Sequence, residues 1–245
     1  MTVNMRKSLS RMLRGQKKFR RLVEASLLRL PQKAGLRQRR VPRPGLVPVK
    51  EFGSNPGRLR MKLFVPRRLA AKPALVVVLH GCRQTPESLD AASGFSRLAA
   101  QRGFLLLYPQ QRQENNTQRC FNWFRPSAIA RDRGEIMSIR QMIDHTCRCH
   151  GADRSRVYLA GLSAGGAMTQ ALLAIYPQFF AGVAIFAGMA YGSARDAVSA
   201  VRQMKSGNSR SPVELGDAVR AVSPDHRAWP CAGMERTSTK CRFTF

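Results

Sequence analysis

The apolar positions of this chain change their period at about residue 58. In the N-terminal stretch, Met5, Leu9, Met12, Leu13, Phe19, Leu22, Val23, Leu27 and Leu28 recur at roughly helical spacing, with Arg and Lys between them. This predicts one or two amphipathic basic helices within a leader spanning residues 1–45. Pro42, Pro44 and Pro48 then predict an extended linker over 46–57, because proline cannot donate to a ladder and restricts its predecessor.

From residue 58 the pattern becomes short strands alternating with longer helices. Residues 60–65 alternate like a strand. Residues 74–79, Ala-Leu-Val-Val-Val-Leu, form a continuous apolar run, as expected of a strand covered on both faces. Residues 104–108 repeat that pattern and stop at Pro109, while 156–160 and 181–186 supply two further strands. Helices are predicted over 88–102, ending at Gly103 as a C-cap, over 134–149 and over 165–175. Residues 110–132 read as a polar loop carrying Phe121-Asn122-Trp123-Phe124. The alternation predicts an α/β domain over 58–230, with a doubly wound, mainly parallel sheet. Residues 231–245 read as an unrelated tail.

Composition changes this picture in one respect. Of 245 residues 44% are hydrophobic, an ordinary globular value, but the net charge is +28. Residues 1–72 hold 21 of the 42 Lys and Arg against two acids, Glu24 and Glu51. The leader is therefore a candidate for touching anionic surfaces, and a basic membrane- or nucleic-acid-binding module is one reading of the chain. The blander reading, a solvated basic extension, is preferred, and no nucleic acid partner is expected. There is no apolar run of 18 residues, so no transmembrane helix is predicted. No standard signal peptide is visible either.

The candidate chemistry lies at Gly161-Leu162-Ser163-Ala164-Gly165. Gly-x-Ser-x-Gly between a strand and a helix sets the serine on a sharp turn, with its hydroxyl exposed near a helix N-terminus. Glycines two residues to either side leave room where side chains would collide with neighbouring backbone. Ser163 is thus the candidate nucleophile. One oxyanion donor is expected from the backbone N–H of Ala164. The second is expected from Cys82, in the His80-Gly81-Cys82 loop after the 74–79 strand. His80 reads as a loop histidine that packs or bonds to backbone rather than as the base. His80, Asn122 and Trp123 are candidate pocket residues, and for Trp123 a core role is an equal alternative.

Several motifs in order resemble the polyhydroxybutyrate (PHB) depolymerase-family esterases. These are Leu79-His80-Gly81-Cys82-Arg83-Gln84, Tyr108-Pro109, Cys120-Phe121-Asn122-Trp123-Phe124, Arg133-Gly134-Glu135, residues 153–157, and Ala160-Gly161-Leu162-Ser163-Ala164-Gly165-Gly166-Ala167-Met168. The resemblance implies an α/β-hydrolase fold and serine-dependent hydrolysis of carboxylic esters, such as polyhydroxyalkanoate oligomers or short acyl and aryl esters. It implies an extracellular location, with the cytoplasm as alternative, and a Cys82–Cys120 disulfide pinning the aromatic loop beside the oxyanion loop. No cofactor is expected.

The resemblance also implies a later strand, then an acid and a histidine completing a triad. Residues 231–245 contain neither Asp nor His. After Ser163 the remaining acids and histidine before that tail are Asp196, Glu214, Asp217, Asp225 and His226, and the adjacent Asp225 and His226 read as a polar turn. The expectation is a chain truncated or frame-shifted after Pro230, lacking its last strands and leaving the 181–186 strand at an edge. A catalytically inactive member of the family is therefore the main alternative to a working serine esterase. His145, Cys147, Cys149 and His150 cluster near one helix end, but without a second ligand pair no metal is expected.

Overall fold

The computed structural model describes residues 45–207 and 210–223. Almost all of the leader, together with Asp225, His226 and the 231–245 tail, lies outside the described residues. Six strands form one sheet: β1 (Val47–Val49), β2 (Arg60–Phe64), β3 (Leu75–Leu79), β4 (Leu105–Gln110), β5 (Val157–Leu162) and β6 (Gly182–Phe186), in the order β1-β2-β4-β3-β5-β6. β4, β3, β5 and β6 run parallel, and β2 and β1 join antiparallel at one side. Seven α-helices are described: α1 (Pro86–Ser93), α2 (Phe95–Arg102), α3 (Pro126–Ile129), α4 (Gly134–His150), α5 (Ala164–Ile175), α6 (Ala197–Ser206) and α7 (Pro212–Arg220).

The period-2 geometry of the strands feeds two cores, one on each face of the sheet. Val77, Leu79, Leu105 and Leu107 face a larger core with Ile136, Ile139, Met142 and Ile143 of α4 and Ala167, Met168, Ala171 and Leu172 of α5. Val78, Leu106 and Tyr108 face a smaller core with Leu89 of α1 and Ala99 of α2. Strands covered on both faces need apolar residues at every position, which is why the 74–79 and 104–108 runs do not alternate. Each fully buried leucine of β4 contributes about 2 kcal/mol of burial.

Three expectations change. The helix expected over 88–102 is two helices, α1 and α2, divided at Gly94. That residue adopts φ 74°, ψ 19° and donates its N–H to Asp90 O as a C-cap. The Asp90 carboxylate then accepts from Ser96 N–H and Oγ and, at 2.7 Å, from the Tyr108 hydroxyl, which ties the break to β4. Next, β4 continues through Pro109. The ladder to β3 ends at Leu107, so Pro109 is paired on one side only, by Met61 of β2, and proline is tolerated there as on an edge. Lastly, β1 arises inside the segment expected to be a linker. It is a three-residue edge strand, a position where Pro48 need not donate.

Among the described residues β6 closes the other side of the sheet, with Val183, Ile185 and Phe186 more than a third exposed. No described helix is long and apolar enough to cross a membrane.

Candidate active site

β5 runs to Leu162 and α5 begins at Ala164, so Ser163 alone makes the turn. Its backbone sits at φ 55°, ψ −117°, a conformation that L-residues rarely adopt and that costs about 1–3 kcal/mol. The surroundings hold it there. Ser163 N–H donates to Phe186 O of β6 at 2.8 Å, and Ser163 O accepts from Ala167 N–H at 2.9 Å. The residue remains partly exposed at the N-terminus of a twelve-residue helix, where the dipole favours developing negative charge.

The two elbow glycines are explained by distances. A Cβ on Gly161 would stand 2.4 Å from Gly165 O and from Thr169 Oγ1, and one on Gly165 would stand 2.2 Å from Leu79 O. Gly188, which sequence reasoning passed over, belongs to the same crowding: its Cβ would stand 2.6 Å from the Gly166 carbonyl carbon. Its only signal in the sequence is a glycine two residues beyond a strand.

The loop over residues 80–84 lies beside the elbow. A Cβ on Gly81 would come 3.5 Å from Ser163 Cβ. Gly81 N–H donates to Gln84 Oε1 at 2.8 Å, Gln84 N–H returns to Gly81 O at 3.2 Å, and Arg83 N–H donates to Gln118 O at 2.7 Å. Cys82 and Cys120 form a disulfide. As the first residue of α5, Ala164 has an N–H without a helical acceptor, and no hydrogen bond of the described residues uses the Cys82 N–H. The N–H groups of Ala164 and Cys82 are therefore both without a protein acceptor among the described residues.

The disulfide closes a loop of 38 residues, a constraint worth about 4 kcal/mol on the chain-entropy account. The double variant Cys82→Ser/Cys120→Ser is expected to lose about that much in urea unfolding. An unchanged midpoint against the oxidised parent would show that the bridge does not constrain the loop.

His80 is fully buried, and both ring nitrogens are engaged. Nδ1 lies 2.8 Å from Gly81 O, and Nε2 accepts from Gln111 N–H at 3.1 Å. Burial pushes its pKa below the ordinary imidazole range and the Arg119 charge adds to this, while the bond to Gly81 works the other way. A ring so occupied cannot take a proton from Ser163. Asn122 is also buried: its N–H and Nδ2 donate to Glu135 Oε2 and Oε1 at 2.9 and 2.6 Å. Trp123 is 5% exposed and packs edge-on to Phe124 within the larger core. The three candidate pocket residues thus form the foundation under the loops rather than an open wall.

Sequence reasoning missed the group that links Asn122, through Gln111, to His80. Glu135 is 3% exposed, and it accepts from Gln111 Nε2 at 2.7 Å as well as from Asn122. Burial raises its carboxyl pKa, against the lowering effect of these hydrogen bonds. Polar residues in two loops and a helix start carry no periodicity, so only the Arg133-Gly134-Glu135 motif hinted at the site.

A sequence model of the family described as Esterase PHB depolymerase matches residues 59–235. The chain belongs to this family. The match begins at the edge of β2 and runs past the boundary expected at residue 230. Poly(3-hydroxyalkanoate) depolymerase C of Paucimonas lemoignei is 46% identical over 175 residues, covering 71% of this chain and 42% of that protein. Feruloyl esterase B of Neurospora crassa is 35% identical over 184 residues, covering 73% of this chain and 62% of that one. Among solved structures, an acetyl xylan esterase from Aspergillus awamori matches with a TM-score of 0.59 at 30% identity, over 63% of this chain and 56% of its own. The chain therefore spans less than two thirds of each of these proteins, and its mixed, mainly parallel sheet is that of the α/β-hydrolases.

In this family member the described acids that follow Ser163 serve local structure. Asp196 caps α6 by accepting from Ser199 N–H at 2.7 Å, and Glu214 closes the capping box of α7 with Ser211. Each bond holds its carboxyl pKa below the usual range. Asp217 pairs with Arg220. None of the three has an imidazole partner among the described residues. At the end of α4, Cys149 Sγ lies 3.6 Å from His145 Nε2, and Cys147 is buried with its thiol pKa raised by that burial. No group of three metal-binding side chains occurs among the described residues.

Proposed function

We propose that this chain is a carboxylic ester hydrolase working through an acyl-enzyme at Ser163. The carrying observation is the positive-φ serine between β5 and α5, with the N–H of the next residue, Ala164, and that of Cys82 in the neighbouring loop both unspent. Ser163 Oγ attacks the ester carbonyl carbon, and its proton passes to a base. The carbonyl oxygen becomes an oxyanion received by the two N–H groups. Collapse expels the alcohol, which takes up a proton. Water then attacks the acyl-serine through the same oxyanion site and releases the acid.

The substrate class is short-chain acyl or aryl esters, polyhydroxyalkanoate oligomers included. The names of the depolymerase and esterase relatives support this class. The Cys82–Cys120 disulfide supports an oxidising location outside the cytoplasm.

A second reading, an inactive family member, has its own support in the local engagements of Asp196, Glu214 and Asp217. Hydrolysis of 4-nitrophenyl butyrate by the full chain and by Ser163→Ala separates the two. The ester-hydrolase reading expects a loss of about 10³-fold or more in the variant. Equal, background rates in both would establish the inactive reading.

A further inference from the structure

A peptide unit is planar and trans, so the carbonyl of Gly81 and the N–H of Cys82 belong to one rigid plate and point in opposite directions. Whatever grips Gly81 O therefore aims Cys82 N–H. Two donors grip it: His80 Nδ1 at 2.8 Å and Gln84 N–H at 3.2 Å. The tautomer of His80 follows from its partners. A backbone N–H can only donate, so Nε2, which faces Gln111 N–H, carries no proton. A carbonyl can only accept, so Nδ1 carries one.

The ring has no freedom to do otherwise. It is fully buried and lies 4.9 Å from the Phe121 ring, centroid to centroid. Gln111, which sets the tautomer, is itself held at the side chain. Its Nε2 donates to Glu135 Oε1 at 2.7 Å and to Cys120 O at 3.2 Å, and its Oε1 accepts from Asn115 Nδ2 at 2.8 Å and Arg112 N–H at 3.0 Å. Glu135 also accepts from the N–H and Nδ2 of Asn122, next to Phe121.

The geometry points to His80 as a positioning residue that, held as the neutral Nδ1–H tautomer by Gln111 and Glu135, orients and polarises the Gly81–Cys82 peptide so that Cys82 N–H is a stronger oxyanion donor. This rests on the ester-hydrolase reading, which makes Cys82 N–H a donor to the oxyanion. Two physical effects carry it. A donor on an amide oxygen draws electron density from the amide nitrogen and strengthens its N–H, as in any hydrogen-bond chain. A plate gripped from behind does not have to reorient when the oxyanion forms, which is the source of most oxyanion-hole catalysis. Burial keeps the ring neutral, and a second ring proton would meet the Gln111 N–H head-on.

The test compares His80→Leu, which removes the donor, with His80→Asn, whose amide nitrogen is attached to Cγ as Nδ1 is and restores it. With 4-nitrophenyl butyrate, His80→Leu is expected to lower kcat about 10–100-fold, with KM within about twofold, because a complete oxyanion donor is worth about 10²–10³-fold. His80→Asn is expected to recover most of that loss. Equal kcat in all three proteins, or equal loss in both variants, would overturn the inference.

A second arm does not need turnover. Butyrate is titrated into ¹⁵N-labelled full chain and read at the Cys82 and Ala164 amides. The parent and His80→Asn are expected to bind several-fold tighter than His80→Leu. Butyrate binding at those amides by a parent that hydrolyses nothing would defeat the hydrolase reading and leave this inference standing. No response at those amides, or equal affinity in the Leu variant, would overturn it. Should His80→Leu fail to fold, the parent's ring nitrogens still decide: a protonated Nε2, or an imidazole titrating at its ordinary value, would refute the assignment.

Discussion

On the proposed ester-hydrolase reading, replacing Ser163 by glycine is expected to abolish ester hydrolysis and to make the protein more stable. Loss of the nucleophile costs about 10³-fold or more. The gain in stability comes from the backbone. Ser163 holds φ 55°, ψ −117°, a conformation close to the glycine-favoured first corner of a type II′ turn. The strain is about 1–3 kcal/mol, and glycine relieves it. Glycine also makes the unfolded chain freer, which takes back about 0.5–1 kcal/mol. The net expectation is about 1 kcal/mol of added stability, a rise in Tm of about 2–4 °C for a chain of this size. Ser163→Ala keeps the Cβ and therefore the strain, so its Tm is expected to stay near that of the parent. Thermal unfolding of the three proteins checks this. A glycine variant no more stable than the alanine variant would mean that the elbow is relaxed in the folded protein.

The contrast between these variants shows where stability and catalysis part. The bonds that hold the strain, from Ser163 N–H to Phe186 O and from Ala167 N–H to Ser163 O, are ordinary backbone bonds of a sheet neighbour and a helix start. The sheet therefore supplies the force that projects the hydroxyl. A strained residue kept in place by its neighbours is the expected signature of a site selected for chemistry.

How much of this was legible in the sequence follows from the kind of signal each feature leaves. Strands covered on both faces leave continuous apolar runs, so β3 and β4 could be placed from residues alone. β5 and β6 carry short apolar runs too, although Tyr158 of β5 and most of β6 are exposed, and the four together imply the parallel α/β fold. The elbow was legible because steric demand at Gly161 and Gly165 restricts residue type at fixed spacing. The division at Gly94 was not, because a helix pattern continues through a single glycine and only the Asp90–Ser96–Tyr108 bonds reveal the turn. β1 was hidden by Pro48, which argues against a strand everywhere except at an edge. The His80–Gln111–Glu135–Asn122 network was least legible of all. Its members lie 31, 24 and 13 residues apart along their bonds, and a buried polar chain has no period to betray it.

The elbow's packing yields the sharpest stability expectation. A methyl group on Gly165 would stand 2.2 Å from Leu79 O, 2.6 Å from Leu79 C and 2.7 Å from His80 O. All three are backbone atoms, so no side chain can rotate out of the way. Leu79 is locked in register with Gly161 across the β3–β5 ladder, and His80 O belongs to the start of the loop after β3. To admit the methyl, α5 must lift from the end of β3 or the loop must leave the elbow. Gly165→Ala is therefore expected to cost more than about 4 kcal/mol, at the extreme of single substitutions, through overpacking against backbone. Gly166→Ala meets its nearest atoms at 3.0 Å and is expected to cost clearly less. Gly151→Ala, at φ 62° with nothing within 4 Å, pays only for the left-handed backbone, about 1–2 kcal/mol. Urea unfolding should order the midpoints Gly165→Ala below Gly166→Ala, and Gly165→Ala below Gly151→Ala. A Gly165→Ala protein as stable as Gly151→Ala would mean that helix and strand do not meet where the structure brings them. On the ester-hydrolase reading, any folded Gly165→Ala protein should lose kcat beyond its loss of stability, because the atoms that must move lead directly into the Gly81–Cys82 peptide, the proposed oxyanion donor.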